Sequence, residues 1–229
     1  MWHFNLNYFD YPYTLTTSKQ RTHNMIKLYG YPQTRSSRAA WALEETCAEY
    51  EYELINLRAG EHKQAAFLAI NPFGKIPTLV DDGHPISESA AICTYIAEKF
   101  PAAKLIPTDP KGRAEYFQWL FFVVSELEVH LWTAAKHDRF LPEDKRIPEI
   151  AITSYWEFEK AATVLSAHLK GRQYIANNQF SAADIICVSV LHWAHHVKVN
   201  LNETLLNYMN KHSERPALAR ARKREADAA

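Results

Sequence analysis

Net charge is absent: 26 Lys and Arg balance 26 Asp and Glu. No strong attraction to nucleic acid or to an anionic membrane is therefore expected. No apolar run reaches the ~18 residues that a membrane span needs. Cysteine is scarce. Cys47, Cys93 and Cys187 lie far apart and form neither a C-x-x-C pair nor a disulfide framework. Their neighbours are apolar and helix-like, so each reads as a small buried hydrophobe. A reducing, cytoplasmic setting fits this usage. There is no GxGxxG turn, no Walker loop and no Ser/His/Asp arrangement supported by spacing. His192, His195 and His196 stand at i, i+3 and i+4, from which two residues can share a metal. No acidic partner motif stands beside them, so no metal is expected.

What is present is ordinary for a globular chain. The 229 residues are 47% apolar and 23% charged, enough for one large domain or two small ones around a real core. Residues 1–24 are aromatic and polar, without the basic and apolar regions of a secretory signal or the Arg-rich character of a transit peptide. They are expected to be a leader, either a flexible arm or a stretch upstream of a true start at Met25.

From Met25 the pattern is regular. Ile26–Tyr29 reads as a strand, followed by a turn-rich stretch and a helix that Ser36 or Ser37 would cap. Ala39, Ala40, Leu43 and Cys47 mark one face of that helix. Tyr50–Leu57 alternates as a second strand, so the opening is a βαβ unit with a parallel strand pair. His62–Ile70 is a short helical stretch. Ile76–Val80 and Pro85–Ser87 are strands joined at Asp82-Gly83, and Ser89–Lys99 is a helix. The order is β-α-β-α-β-β-α over 25–102.

Pro101, Pro107 and Pro110 punctuate a linker, taken as 103–111. An all-helical region follows over 112–222. Tyr116, Trp119, Leu120, Val123 and Leu127 mark one long helix and 150–169 another. Ser181 to Asp184 is a capping-box signature before Ile185. From Arg220 the charge density predicts a frayed end, with 223–229 as a solvated tail.

Three segments in this order carry a resemblance: Thr34-Arg35-Ser36-Ser37-Arg38 after the first strand, Asn71-Pro72-Phe73-Gly74-Lys75-Ile76-Pro77-Thr78-Leu79, and Glu88-Ser89 at a helix start. Together with Glu214-Arg215-Pro216-Ala217 near the end, they resemble the cytosolic glutathione transferases, nearest to theta-like and bacterial or fungal hydroxyl-using members. The resemblance implies a thioredoxin-like glutathione-binding domain, an all-α second domain, and conjugation of glutathione to small electrophiles in detoxification. It also implies a homodimer in the cytoplasm, with glutathione as co-substrate and no further cofactor, no nucleic acid and no membrane partner. A glutathione-dependent disulfide reductase or peroxidase, or a non-catalytic assembly module, is the alternative on the same fold.

The residue chemistry fits such a ligand. Ser89 at a helix start suits a carboxylate, by resemblance the γ-glutamyl one, although a plain N-cap is its bland alternative. Glu88 suits the γ-glutamyl ammonium. Ile76-Pro77 resembles the cis-proline dipeptide whose backbone pairs with the cysteinyl segment. His62 and Lys75 are placed at the glycyl carboxylate, where both are otherwise simply solvated. Counting four back from Arg38 lands on Thr34 as the hydroxyl that activates the thiol, with Ser36, and beside it Ser37, as rival. One charged hydrogen bond of ~1.5–3 kcal/mol lowers a thiol pKa of ~8.5 by roughly one to two units, enough to make thiolate abundant near neutral pH. Tyr116, Trp119 and Phe122 are the candidates for an electrophile pocket between the domains, against the alternative of core packing.

Overall fold

The computed structural model describes residues 25–229, so the expectation about residues 1–24 lies outside the described residues. Ile26–Gly30 (β1) runs into Ser36–Thr46 (α1) and returns as Tyr50–Leu54 (β2), parallel to β1 with Ile26 opposite Tyr50. A single turn of 3₁₀ helix at Glu61–Lys63 and the short Ala65–Leu68 (α2) follow. Thr78–Asp81 (β3) and His84–Ser87 (β4) form an antiparallel hairpin, and β3 pairs antiparallel with β1. The sheet order is β2-β1-β3-β4. Ser89–Lys99 (α3) closes this half.

The second half is helical. Pro110–Phe122 (α4) opens on Asp109, whose carboxylate accepts the Gly112 N–H at 2.8 Å. It passes through a wide π turn, Val123–Glu128, into Val129–Ala135 (α5), and ends in a second wide turn, Lys136–Phe140. Ile150–Leu169 (α6), Ala182–His196 (α7), Glu203–Ser213 (α8) and Pro216–Asp227 (α9) follow. At the start of α7 the capping residue Asp184 is fully buried. It accepts from the Ser181 N–H, the Ile175 N–H and the Tyr208 hydroxyl at 2.8, 2.8 and 2.7 Å. One apolar core joins the halves: Leu28, Leu79 and Ile92 from the sheet side are continuous with Leu127, Leu131 and Ile185 of the helices. A smaller cluster of Tyr29, Ile55 and Phe67 covers the other face of the sheet.

Three expectations are corrected. Neither Ser36 nor Ser37 caps α1. Arg35 stands at the N-cap with no side-chain cap, and the Thr34 Oγ1, two residues before Ser36, accepts the Ser36 N–H at 3.2 Å. Cys93 and Cys187 are fully buried, and burial pushes the Cys93 thiol up to about 12. Cys47, by contrast, is exposed, because it takes the left-handed C-cap position of α1 (φ 53°) instead of continuing the apolar face. The region from Arg220 is not frayed. Arg220 and Arg224, one turn apart on α9, both donate to the Glu44 carboxylate at 3.0 Å, while Ala217, Leu218 and Ala221 are buried on the adjoining face. Charge density alone reads as a solvated tail when half of it is partnered across a helix pair.

Candidate functional site

Sheet register gathers the three motif segments at one end. Tyr29 lies opposite Thr78, and Thr78 opposite Ser87. The loop leaving β1, the loop entering β3 and the turn from β4 into α3 therefore emerge side by side.

In the last of these, Glu88 is exposed and holds φ 68° with ψ 114°, a conformation that L residues seldom adopt. Such strain of about 1–3 kcal/mol collects where a fold must aim a backbone at a ligand. Ser89 follows as the first residue of α3 and is 6% exposed. Its Oγ accepts from Arg38 Nη1 at 3.1 Å. Arg38 projects from α1, is 2% exposed, and donates further to Glu128 Oε2 at 2.8 Å and to Ser189 Oγ of α7 at 2.9 Å. Glu128 is itself 4% exposed and also accepts from Arg35 Nε. Burial pushes the Glu128 carboxyl up, but the Arg38 and Arg35 guanidiniums hold it below its ordinary value. Two buried charges and a hydroxyl thus tie α1, α3, the helical half and the start of the site into one network.

The loop before β3 is built by Asn71. Its Nδ2 donates to the Lys75 carbonyl at 2.8 Å and to Thr78 Oγ1 at 2.9 Å, while its Oδ1 accepts the Phe73 N–H at 3.1 Å. Gly74 has φ 58°, and a Cβ there would stand 2.9 Å from the His62 carbonyl oxygen, so only glycine fits. The Ile76–Pro77 peptide bond is cis. Lys75 is exposed. His62 is half-buried, and its Nδ1 is buried without a hydrogen-bond partner among the described residues. Burial, and then the Lys63 charge, hold this imidazole below its usual pKa.

In the loop after β1, the Thr34 hydroxyl donates to the Tyr31 carbonyl at 2.6 Å and lies 3.0 Å from Ser36 Oγ. Thr34 is half-buried. Ser36 is fully buried, accepts the Tyr31 N–H at 3.3 Å, and packs so tightly under Gly30 that a Cβ on that glycine would sit 2.7 Å from it. Ser37 points away and donates to the Glu225 carboxylate of α9 at 2.9 and 2.8 Å.

Of the candidate aromatic residues on α4, Tyr116 and Trp119 are buried in the core and Phe122 packs against it. Tyr116 is fully buried with its hydroxyl 2.9 Å from Thr94 Oγ1. Trp119 stacks on His168 with ring centroids 3.7 Å apart, and Phe122 sets its edge against Trp119 at 5.2 Å. Arg35, the residue after Thr34, is flanked by Trp132 of α5 and Trp193 of α7, with the guanidinium 5.0 and 5.3 Å from their rings. His192 Nε2 lies 2.7 Å from Ser213 Oγ.

Comparison with known proteins agrees with this arrangement. Residues 24–98 match the family model for the glutathione S-transferase N-terminal domain, and residues 157–224 that for its C-terminal domain. Glutathione S-transferase D7 of Drosophila melanogaster is 30% identical over 73% of this chain and 75% of its own length. Glutathione S-transferase F9 of Arabidopsis thaliana is 32% identical over 70% of this chain and 77% of its own length. Among solved structures, glutathione transferase F7 from Populus trichocarpa superposes with a TM-score of 0.77 at 28% identity, covering 88% of this chain and 99% of that one. The chain belongs to the glutathione S-transferase family, with its thioredoxin-like half and its all-helical half.

Proposed function

We propose that this chain binds reduced glutathione at the gathered loops and transfers its sulfur to small electrophilic molecules. The observation that carries this is the Ser89 hydroxyl at the N-terminus of α3, backed by the Arg38 guanidinium at 3.1 Å. Helix N–H groups, a hydroxyl and a nearby cation form a receptor for the γ-glutamyl carboxylate. Glu88 takes the ammonium, the Ile76 backbone pairs with the cysteinyl segment, and His62 and Lys75 face the glycyl carboxylate. Glutathione is the co-substrate, and no metal or organic cofactor enters the reading. The thiolate attacks an electrophilic carbon, which loses its leaving group as the carbon–sulfur bond forms. We place the protein in the cytoplasm as a homodimer, in which a second copy covers Phe73, 73% exposed on the Asn71–Ile76 loop.

Calorimetric titration with glutathione tests the site. Ser89→Ala removes one hydrogen bond to a charged group, so the Kd is expected to rise about tenfold. The melting temperature should hardly move, because Arg38 keeps Glu128. An unchanged Kd takes Ser89 out of the site.

We assign thiol activation to Thr34 and not to Ser36, whose oxygen is enclosed beneath Gly30. In serving the sulfur, the Thr34 proton swings away from the Tyr31 carbonyl. Thr34→Val keeps the shape and removes the donor. The bound thiol should then titrate roughly one unit higher, turnover at neutral pH should fall several-fold, and activity should recover at alkaline pH. Thiolate absorbance against pH reads this directly. A titration that moves in Ser36→Ala but not in Thr34→Val reassigns the role.

A further inference from the structure

Arg35 is the residue after Thr34, yet conjugation as described gives it no task. Its Nε is committed to Glu128. Its Nη1 and Nη2 have no hydrogen-bond partner among the described residues, and the side chain is 34% exposed. The guanidinium sits between the half-buried indoles of Trp132 and Trp193, 5.0 and 5.3 Å from their rings. Lys136 lies one turn beyond Trp132 with its ammonium 6.0 Å from the same ring. Phe140, 62% exposed, extends the aromatic wall at 5.3 Å from Trp132. Charge on this wall does not cancel. Glu128 is the one carboxylate shared by Arg35 and Arg38, Lys136 adds a third cation, and nearby Asp138 is paired with Arg139 at 3.1 Å.

We infer that this wall is the electrophile side of the site and selects planar aromatic electrophiles that carry an anionic group, such as a carboxylate. Flat indole and phenyl surfaces take the ring. The planar, unoccupied Nη pair of Arg35 matches a carboxylate in a bidentate fork, and the stacking on two indoles fixes the guanidinium in place. With an aryl chloride, the glutathione sulfur bonds to the ring carbon, the carbon–chlorine bond breaks, chloride leaves with the bonding pair, and the thiol proton goes to solvent. The inference rests on the conjugation reading above for its chemistry, but the recognition can be measured without turnover.

The probes are 3,5-dinitrobenzoate and its methyl ester, which share a ring and have no leaving group. Quenching of tryptophan fluorescence on glutathione-saturated protein gives both affinities. The acid should bind about tenfold tighter than the ester, and less so at high salt. Arg35→Gln should bring the ratio close to unity, Arg35→Lys should keep part of it, and Lys136→Gln should lower it two- to threefold. Circular dichroism checks that each variant is folded. If Arg35→Gln is not, the Arg35→Lys and Lys136→Gln ratios decide the matter, since each leaves Glu128 a cation. Equal binding of acid and ester by the unaltered protein, or a ratio indifferent to position 35, overturns the inference. Turnover is followed separately with 4-chloro-3,5-dinitrobenzoate and its ester. Conjugation of neither, with the anion preference intact, defeats the conjugation reading and leaves Arg35 in its role; conjugation of both without preference does the reverse.

Discussion

Glu128→Leu is expected to lower the unfolding free energy by roughly 3–5 kcal/mol, because it strands Arg38 in the core. Arg38 is 2% exposed and Glu128 4%. After the substitution the guanidinium keeps only the hydroxyls of Ser89 and Ser189 at 3.1 and 2.9 Å, and neither carries the charge it needs. The informative comparison is the double variant Arg38→Met, Glu128→Leu. Replacing both partners of a buried pair by apolar groups of similar size is often neutral or stabilising, so most of the lost stability should return in urea unfolding. Glutathione affinity should not return, since nothing then backs Ser89. A double variant no more stable than the weaker single one would show that the pair's charge is not what stability responds to. The pH dependence has a definite sign. Glu128 is held below its ordinary value by the two guanidiniums against the effect of burial. Its contribution is therefore complete above the unfolded value of ~4.3 and is lost as pH falls through the lower folded value. Acid should destabilise the unaltered chain more than the double variant.

That pair marks the boundary of what sequence reading reaches. The strands, the helices at 89–99 and 150–169 and the capping box at Ser181 follow from period, turn residues and capping chemistry, all local. The three motif segments were visible as well, because each is contiguous. In the sequence Arg38 is only a marker four residues after Thr34. Its partner Glu128 lies 90 positions away and belongs to a π turn, Val123–Glu128, which 3.6-residue periodicity cannot forecast. The extra residue in that turn rotates all that follows, so the phase that put Tyr116, Trp119 and Phe122 on an inner face gave no hint that Trp132 would meet Arg35. Asn71 stood in a motif as a letter, and its role as the brace of the cis-proline loop appears only once its amide is seen bridging Lys75 and Thr78. A charged residue amid small apolar ones, such as Arg38 before Ala39 and Ala40, is the local signal by which such a buried pair can be sought.

The C-terminal helix carries the second large effect. Glu225 is 3% exposed on α9 and accepts from Ser37 Oγ at 2.9 and 2.8 Å, with the Tyr52 hydroxyl at 3.4 Å. Burial pushes this carboxyl up to about 7, against the Ser37 and Tyr52 hydrogen bonds and the Arg222 charge, which pull it down. Arg220 and Arg224 on the same helix do not neutralise it, being bonded to Glu44. A carboxyl whose folded value exceeds its unfolded one binds its proton more tightly in the folded state. Its stabilisation is present in full below pH ~4.3 and declines as pH rises through the folded value, then stays flat. Two to three units correspond to about 3 kcal/mol. Gln is nearly isosteric, cannot ionise, and still offers its carbonyl to Ser37. Glu225→Gln is therefore expected to match the unaltered protein at pH 5 and to exceed it at pH 8, with a melting temperature higher by roughly 5–10 °C. Because Ser37 lies in the first turn of α1, the variant should also flatten any loss of glutathione affinity between those two pH values. Thermal melts at pH 5, 6, 7 and 8 decide the point. A constant difference between the two proteins across the series would mean that Glu225 does not titrate in this range and that α9 is held by packing and the Glu44 pairs alone.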